Sequence, residues 1–345
     1  MNDETTTAGP DQINRFGVFL PSFVWPDDGP ERAQGIIDFA REAENLGFGS
    51  IFITDHLLAA DQFYSVSFLE PLTTLSLVAG VTNRVKLGTS VLVIPIREPV
   101  LLAKQVATMQ FLSQNRIVLG VGIGWYPPEY AATGVKKSDR GSRTDEMLDV
   151  VIPLLRGEPV TYDGKFFQLD EVVVEPVSQV PPEIWIGGGS QLADPGSPDL
   201  PRLVEPVKRR ILATDGWIPR PTCPPEDIAG DWEELQGYFR EHGRDPSELA
   251  VAHENFYHFV ATQDPVRARE EQHEAMLRVM SSARGPEYLE RVYLFGTRDE
   301  VVASLQARVD AGVRQIMLHT MTPDPAQLEQ WIEHVIPHVR FPDER

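Results

Sequence analysis

The sequence predicts an α/β fold, a (β/α)8 TIM barrel with insertions, on the basis of three observations. Eight short apolar runs alternate with helical patterns along the chain, and strands joined by helices form a parallel sheet. The length of 345 residues suits two domains of about 150 residues or one barrel with insertions. Eight strand–helix units, and the lack of a G-x-G-x-x-G motif after the first strand, favour one closed barrel over an open sheet.

Each predicted strand is a short, mostly apolar run that ends at glycine, proline or a polar residue. The strands are Arg15–Leu20, Ser50–Thr54, Val85–Val93, Arg116–Val121, Glu183–Ile186, Asp215–Ile218, Ala250–Val260 and Gln315–His319. Each predicted helix carries apolar residues at helical spacing. The helices are Pro30–Leu46, Val100–Leu112, Asp139–Leu155, Pro224–His242, Asp264–Ser282, Arg298–Ala311 and Asp324–His338.

The barrel is predicted to form a single domain with three insertions. It spans residues 15–340 after a flexible arm at residues 1–14, and the insertions lie around residues 158–182, 190–210 and 264–296. No repeat of fixed period and no low-complexity tract divides the chain further.

The first two insertions have informative compositions. Glu158–Glu175 alternates apolar and polar residues around Asp163-Gly164, which predicts a β-hairpin. Ser190–Pro206 is rich in proline, glycine, serine and aspartate, which predicts a loop, and such a loop can act as a lid.

The composition excludes several classes of partner and site. Lysine and arginine number 31 and the acidic residues 51, so the formal charge is −20, which argues against nucleic acid and anionic membranes. Cys223 is the single cysteine, so the chain forms no internal disulfide and no cysteine-rich metal site. The polar start is unlike a signal peptide, and no apolar run is long enough to span a bilayer. A cytoplasmic protein is therefore expected.

In a barrel, functional side chains collect at the C-terminal ends of the strands, so the residues that follow the predicted strands are the candidates. Asp55 and His56 follow the second strand, and a histidine there can act as an acid or base near neutral pH or can bind a cofactor. The alternative is that His56 only caps the next segment. No spacing typical of a metal site accompanies the pair, so no metal is predicted.

Two glycine motifs follow the fourth and fifth predicted strands. They are Gly122 and Gly124 in the first motif, and Gly187, Gly188, Gly189 and Ser190 in the second. The second motif offers backbone N–H groups and a hydroxyl to a phosphate, or it forms a tight turn that needs positive φ. The first motif has the same two interpretations, and glycines at a barrel mouth also leave room for a flat ring.

Aromatic and basic side chains fall at the same end of the predicted barrel. Phe23 and Trp125 can wall an apolar pocket, or they pack beneath the loops. Arg140 and Arg143, near the start of the Asp139–Leu155 helix, either pair with a phosphate or carboxylate or form ion pairs on a solvated face.

Taken in order, several motifs resemble those of the luciferase-like monooxygenase superfamily, whose members are barrel flavoproteins. The resemblance runs from Arg15 to about Pro219 and resumes at Phe295–His319. Its main motifs are FGVFLP (Phe16–Pro21), ITDH (Ile53–His56), the Pro71–Met109 stretch, RIVLGVGIGW (Arg116–Trp125), EYAATGV (Glu129–Val135), RGSRTDEML (Arg140–Leu148), IWIGGGS (Ile184–Ser190) and DGWIP (Asp215–Pro219).

The resemblance implies a barrel that holds either reduced FMN, used with oxygen, or coenzyme F420, used for hydride transfer. The segment LGTSVLVIPIREPVLLAKQ is more similar to the F420-dependent branch. In that branch, the residues that match Ser90 and Val91 form a non-prolyl cis peptide that supports the deazaflavin ring. By the same match, His56 contacts the ring or acts as acid or base, and Asp55 orients His56 or the polar edge of the cofactor.

The same match assigns roles to the glycine motifs. Gly122 and Gly124 would give the ring room, and Gly187–Ser190 would hold the phosphate-bearing tail.

Two departures from the sugar-phosphate dehydrogenases of this branch bear on the substrate. Trp125 stands where those enzymes have a glutamate, and LLAADQ (residues 57–62) replaces a stretch that carries a tryptophan there. The loss of that proton donor to an aromatic residue suggests an apolar or heterocyclic substrate.

The predicted function is F420-dependent hydride transfer to or from a small organic substrate bound by Phe23 and Trp125. One alternative is an FMN-dependent two-component monooxygenase that inserts oxygen into an organic substrate. A second is a non-catalytic flavin-binding barrel. The expected partners are a small-molecule substrate, a second copy of the chain and a separate flavin or F420 reductase.

Overall fold

A computed structural model describes residues 8–192, 202–282 and 284–342 of the chain. Its barrel strands are β1 (Phe16–Phe19), β2 (Ser50–Ile53), β3 (Lys86–Thr89), β4 (Ile117–Gly122), β5 (Glu183–Gly187), β6 (Gly216–Ile218), β7 (Ala250–Phe256) and β8 (Gln315–His319). Each strand pairs in parallel with its neighbours along the chain, and β8 pairs with β1, so the sheet closes. The predicted (β/α)8 barrel is confirmed.

Helices surround the barrel and extend its loops. Within the described residues they are α1 (Pro10–Asn14), α2 (Arg32–Asn45), α3 (Pro71–Ala79), α4 (Pro99–Leu112), α5 (Pro127–Ala132), α6 (Arg140–Leu155), α7 (Glu205–Leu212), α8 (Pro225–Glu241), α9 (Pro265–Val279), α10 (Pro286–Val292), α11 (Arg298–Asp310) and α12 (Ala326–His334). None of the described helices is both long enough and apolar enough to cross a membrane.

Two antiparallel strand pairs lie outside the barrel sheet. The predicted hairpin is confirmed, because Val160–Asp163 pairs with Gln168–Val172. The other pair joins Phe23–Val24 to Ser67–Phe68 above the barrel mouth, and sequence analysis did not predict it.

The predicted third strand, Val85–Val93, is interrupted. β3 pairs with β2 and β4, whereas Leu92–Val93 pairs with the end of β4. The Ser90–Val91 peptide bond between the two pieces is cis, as the resemblance implies. The predicted seventh strand also ends early, at Phe256 instead of Val260.

Besides α1, which falls in the predicted arm, sequence periodicity missed four helices: α3, α5, α7 and α10. They are six to nine residues long, which is too short for a helical pattern to repeat convincingly. Each carries proline at its first or second position, where the missing N–H costs nothing. Proline at the first or second position was therefore the shared signal that could have found them.

The predicted terminal arm and lid differ from the structure where it describes them. Pro10–Asn14, placed in the arm, forms α1, and the Gln12 amide donates to the carbonyls of Ile336 and Val339 at 2.8 and 2.7 Å. Residues 1–7, and residues 193–201 of the predicted lid, lie outside the described residues.

The barrel interior is a packed core. Its members are Phe19, Phe52, Val118, Trp185, Ile218, Ala252 and Met317, with Val91 and Ala250 packed against them.

A second buried cluster covers the C-terminal mouth, where α9 and α10 pack over the Phe23–Val24 strand. The Ser65 N–H donates to the Val279 carbonyl at 2.8 Å, and the Ser281 N–H donates to the Phe63 carbonyl at 2.9 Å. The insertion around residues 264–296 is thereby fastened across the mouth, and it encloses the space beneath it.

Candidate active site

His56 lies just beyond the C-terminal end of β2, beside a buried carboxylate. Its Nδ1 is 3.4 Å from Oε1 of Glu129, and that nitrogen has no hydrogen-bond partner among the described residues. Glu129 lies on α5, is 1% exposed, and accepts the N–H groups of Leu57 and Leu58 at 2.9 and 3.4 Å. The two backbone donors hold the carboxylate in place, so Glu129 faces the imidazole from a fixed position.

Aromatic rings surround the remaining faces of His56. The ring centroids of Tyr64 and Phe68 lie 5.0 and 5.3 Å from that of the imidazole. Trp125 meets it edge-on at 5.8 Å and is itself 40% exposed. These contacts leave His56 8% exposed, so the imidazole is largely shielded from solvent by the three rings.

Asp55 does not bind His56 in the structure. Its carboxylate accepts the Val93 N–H at 2.8 Å and pairs with Nη2 of Arg97 at 3.0 Å. Burial raises the pKa of Asp55, and Arg97 and the Val93 N–H oppose that shift. Asp55 therefore fixes the segment that follows the cis peptide, and the suggestion that it orients His56 has no support in these contacts.

One glycine of each motif makes room for Val91 of the cis peptide. A Cβ on Gly122 would lie 2.5 Å from Cγ2 of Val91, and a Cβ on Gly187 would lie 2.7 Å from its Cγ1. Both distances are well below van der Waals contact, so only glycine fits at these two positions. Gly124 has a φ of +70°, a backbone conformation that favours glycine, and a Cβ there would collide with Val93 and Tyr130.

Three donors of the second glycine motif are already engaged. The N–H and hydroxyl of Ser190 both donate to the Asp231 carboxylate at 2.7 Å, and the Gly188 N–H donates to the Ile218 carbonyl. Gly188 and Gly189 have φ values of +158° and +119°, as a tight turn requires. The predicted binding of a phosphate by Ser190 therefore requires displacement of Asp231, a group of the same charge.

Two arginines lie near this turn without a carboxylate partner within 4.0 Å in the described chain. Arg220 donates from Nε to the Gly189 carbonyl at 3.0 Å, and burial, together with the nearby Arg140, lowers its pKa. Arg140, at the first turn of α6, has a buried Nε with no partner in the described residues. Arg143 is different, because it donates to the Pro95 carbonyl at 2.7 Å and stacks on Phe167. Arg140 and Arg220 thus bring two positive charges near each other, and a bound anion would neutralise them.

A small cavity of about 20 Å³ lies at the barrel mouth, behind the Tyr64 and Phe68 rings that pack on His56. It is lined by Leu20, Ser22, Phe23, Thr54, Tyr64, Phe68, Phe256, Val279, His319, Thr320 and Met321. None of these residues is a lysine, arginine, aspartate or glutamate, and burial lowers the pKa of His319 well below its usual range. The cavity wall is therefore uncharged at neutral pH. Phe23 lines it, whereas Trp125 lies against His56 and is not part of the cavity wall.

Sequence reasoning missed two buried carboxyl groups. Glu129 is the first residue of the EYAATGV motif, and Glu254 lies within the seventh predicted strand. Glu254 accepts a hydrogen bond from the Ser90 hydroxyl at 2.8 Å. In the described part of the chain, no group of three or more histidine, cysteine, aspartate or glutamate side chains is arranged to hold a metal ion.

The comparison with known families agrees with this architecture. A sequence model of the family described as luciferase-like monooxygenase matches residues 14–194, which is more than half of the chain. The chain belongs to this family. The resemblance deduced from the motifs is thereby confirmed.

Two relatives illustrate how the family diverges. The chain is 30% identical over 197 residues to an uncharacterised protein of Mycobacterium tuberculosis, covering 53% of this chain and 64% of that protein. It is 26% identical over 319 residues to the F420-dependent glucose-6-phosphate dehydrogenase of Amycolatopsis mediterranei, covering 88% of this chain and 94% of that enzyme.

Solved structures with the same fold include members with either cofactor. An F420-dependent secondary alcohol dehydrogenase, bound to an F420-acetone adduct, has a TM-score of 0.75 at 18% identity, covering 94% of this chain and 98% of that one. The oxygenating constituent of 3,6-diketocamphane monooxygenase from Pseudomonas putida, bound to FMN, has a TM-score of 0.67 at 19% identity, covering 95% and 99%. At these identities the likeness establishes the fold.

Proposed function

We propose that this luciferase-like protein is an oxidoreductase that uses a reduced deazaflavin, coenzyme F420, for hydride transfer to or from a small organic substrate. The observation that carries the proposal is the His56–Glu129 pair beside an uncharged cavity at the mouth of the barrel. That pair supplies an acid–base group in a closed, aromatic environment, which is what proton transfer coupled to hydride chemistry needs.

The residues at the mouth fit such a cofactor. The buried Nε of Arg140 and the neighbouring Arg220 would pair with its phosphate, and they supply local positive charge in a chain whose net charge is −20. Ser90 and Val91 would support the ring, seated by Gly122 and Gly187. When bound, F420 supplies the hydride donor or acceptor, and the protein supplies orientation and protons.

His56 would hold or move the proton, and Glu129 would stabilise the protonated imidazole through Nδ1. Phe23 and Trp125 would contact the substrate from the cavity wall and from the His56 side. We propose an uncharged, largely apolar substrate, because the wall of the cavity at the barrel mouth presents no charged side chain. A homodimer and a separate reductase that supplies the reduced cofactor complete the proposal.

A second candidate is an FMN-dependent monooxygenase that inserts oxygen into an organic substrate. The family match and the fold shared with an FMN-bound monooxygenase favour it. Both candidates use the same site, so the identity of the cofactor decides between them. A non-catalytic flavin-binding barrel would bind a cofactor and turn nothing over.

Titration of the purified protein with F420 and with FMN, followed by quenching of tryptophan fluorescence, tests the proposal. Trp125 contacts the predicted site, so binding of a ring there is expected to quench its emission. We expect F420 to bind more tightly than FMN. Binding of FMN alone would favour the FMN-dependent monooxygenase over the F420-dependent oxidoreductase. If neither cofactor binds, both candidate functions are wrong.

Arg140→Met is expected to weaken binding of F420 or FMN by about 10–100-fold, because a charge-assisted hydrogen bond is worth about 1.5–3 kcal/mol. The phosphate-free analogues, deazariboflavin and riboflavin, should bind equally well before and after the change. Arg156→Met, at the exposed far end of α6, is the matched control. Equal weakening of the phosphate-free analogues would assign Arg140 to the ring or to folding instead of the phosphate.

A further inference from the structure

A carboxyl group lies inside the barrel with no cation beside it. Glu254 is on β7 and points inward, because Ala252, two residues earlier on the same strand, belongs to the interior core. Its side chain is 12% exposed. In the described chain, no lysine or arginine nitrogen lies within 4.0 Å of its carboxylate, and nothing in the proposed proton transfer uses it.

The hydrogen bond that Glu254 accepts crosses the barrel. Its donor is the hydroxyl of Ser90, at 2.8 Å, and Ser90 follows β3. In a closed sheet of eight strands, β3 and β7 lie on opposite sides, so the two side chains meet across the interior. Glu254 therefore touches the first residue of the cis peptide that is proposed to support the cofactor ring.

The imidazole of His319, which faces Glu254, is neutral near pH 7. Nε2 of His319 is 4.0 Å from Oε2 of Glu254, and the imidazole is stacked between Phe19 and Phe256, whose ring centroids lie 3.4 and 4.1 Å away. Burial lowers the pKa of His319.

Two tyrosines complete these surroundings. Tyr64 and Tyr293 are close enough to Glu254 for their charges to interact, and burial raises the pKa of each, with the nearby Arg284 opposing the shift. Neither tyrosine is therefore ionised near neutral pH.

This environment favours the protonated form of Glu254. Burial raises the pKa of Glu254 to about 8, and the hydrogen bond from Ser90 opposes that rise only in part. Below this pKa the side chain is a neutral carboxylic acid, and above it the side chain is a buried anion. Reduced flavin and deazaflavin rings carry negative charge around neutral pH, and two anions in a low-dielectric interior repel strongly.

We propose that Glu254 is a positioning residue for the reduced cofactor, acting through Ser90, and that the reduced ring binds to the form of the protein in which Glu254 carries its proton. The inference rests on the proposed function, because it takes the ring to lie on Ser90 and Val91. Binding above the pKa is then coupled to the uptake of one proton from solvent. Glu254 thereby makes retention of the reduced cofactor dependent on pH.

The first measurement is on the cofactor-free protein and needs no activity. An infrared pH titration is expected to show the carbonyl band of a buried protonated carboxylic acid, which disappears as the pH rises through about 8. The band should be absent in Glu254→Gln. It should persist in the control Glu233→Gln, whose side chain is exposed on α8. Absence of the band from the wild-type protein at about pH 6 would overturn the inference, whether or not a cofactor binds.

The second measurement is the dissociation constant of reduced F420 and, separately, of reduced FMN, under anaerobic conditions across the same pH range. For the wild-type protein, affinity is expected to fall by up to about tenfold per pH unit above the pKa. Glu254→Gln, which stays neutral, should bind at high pH as tightly as the wild type does at low pH. Ser90→Ala removes a hydrogen bond that lowers the pKa, so it should move the midpoint upward.

The two proposals fail in different ways. If neither cofactor binds at about pH 6, where Glu254 is protonated, the proposed function is wrong and the inference falls with it. If a cofactor binds with the same pH profile in the wild type, Glu254→Gln and Glu233→Gln, the proposed function stands and the role of Glu254 is refuted.

Discussion

His56→Ala is expected to lower turnover by about 10²–10⁴-fold, the range typical of the loss of a positioned general acid or base. The imidazole lies against Glu129 at 3.4 Å and is shielded by three aromatic rings, so water does not readily replace it. Affinity for the cofactor should be unchanged, because the residues proposed to hold the phosphate and the ring lie elsewhere. Steady-state kinetics and cofactor titration on the same preparation separate the two effects.

The matched control is His242→Ala. His242 is exposed at the end of α8, and its ring contacts only Tyr238 among the described residues, so its removal should leave turnover unchanged. Turnover by His56→Ala equal to that of His242→Ala would remove His56 from the mechanism.

Glu129→Gln tests whether the carboxylate acts through the histidine. The amide keeps the size of the side chain and accepts the Leu57 N–H, but it no longer stabilises a charged imidazole. If the two residues act as one unit, His56→Ala and the double variant should have nearly the same turnover, because their effects are not additive. Additive losses would show that Glu129 acts independently of His56.

The barrel and the position of His56 could be predicted because both depend on local patterns. Alternation of apolar runs and helical spacing is a property of short windows, and His56 is marked by its place directly after a strand. Glu129 could not be paired with His56 in this way, because it reaches Leu57 from 72 residues further along the chain.

The glycines can be recognised from the sequence, but the residue that occupies the space beside them cannot. Their motifs predict space for a flat ring or a tight turn. The space at Gly122 and Gly187, however, is taken by the Val91 side chain. A sequence gives the size of a residue but not the identity of its neighbour across the barrel. Glu254 was missed for a related reason, since only the closed sheet shows which face of β7 points inward.

Gly122→Ala is expected to destabilise the protein by about 1–3 kcal/mol, the usual cost of overpacking, and to weaken cofactor binding. The new Cβ would lie 2.5 Å from Cγ2 of Val91, so Val91 must move, and with it the support proposed for the ring. Urea unfolding and cofactor titration measure the two effects. Gly230→Ala is the control, because a Cβ there meets nothing within 4 Å on α8.

The double variant Gly122→Ala/Val91→Ala distinguishes a local collision from a general weakening of the barrel. Removing both Cγ atoms of Val91 eliminates the clash, so the double variant should be more stable than Gly122→Ala alone. The double variant would then lose less stability than the sum of the two single losses, whereas the losses from independent defects simply add. A double variant less stable than either single variant would mean that Gly122 is required for its backbone and that Val91 is not what it accommodates.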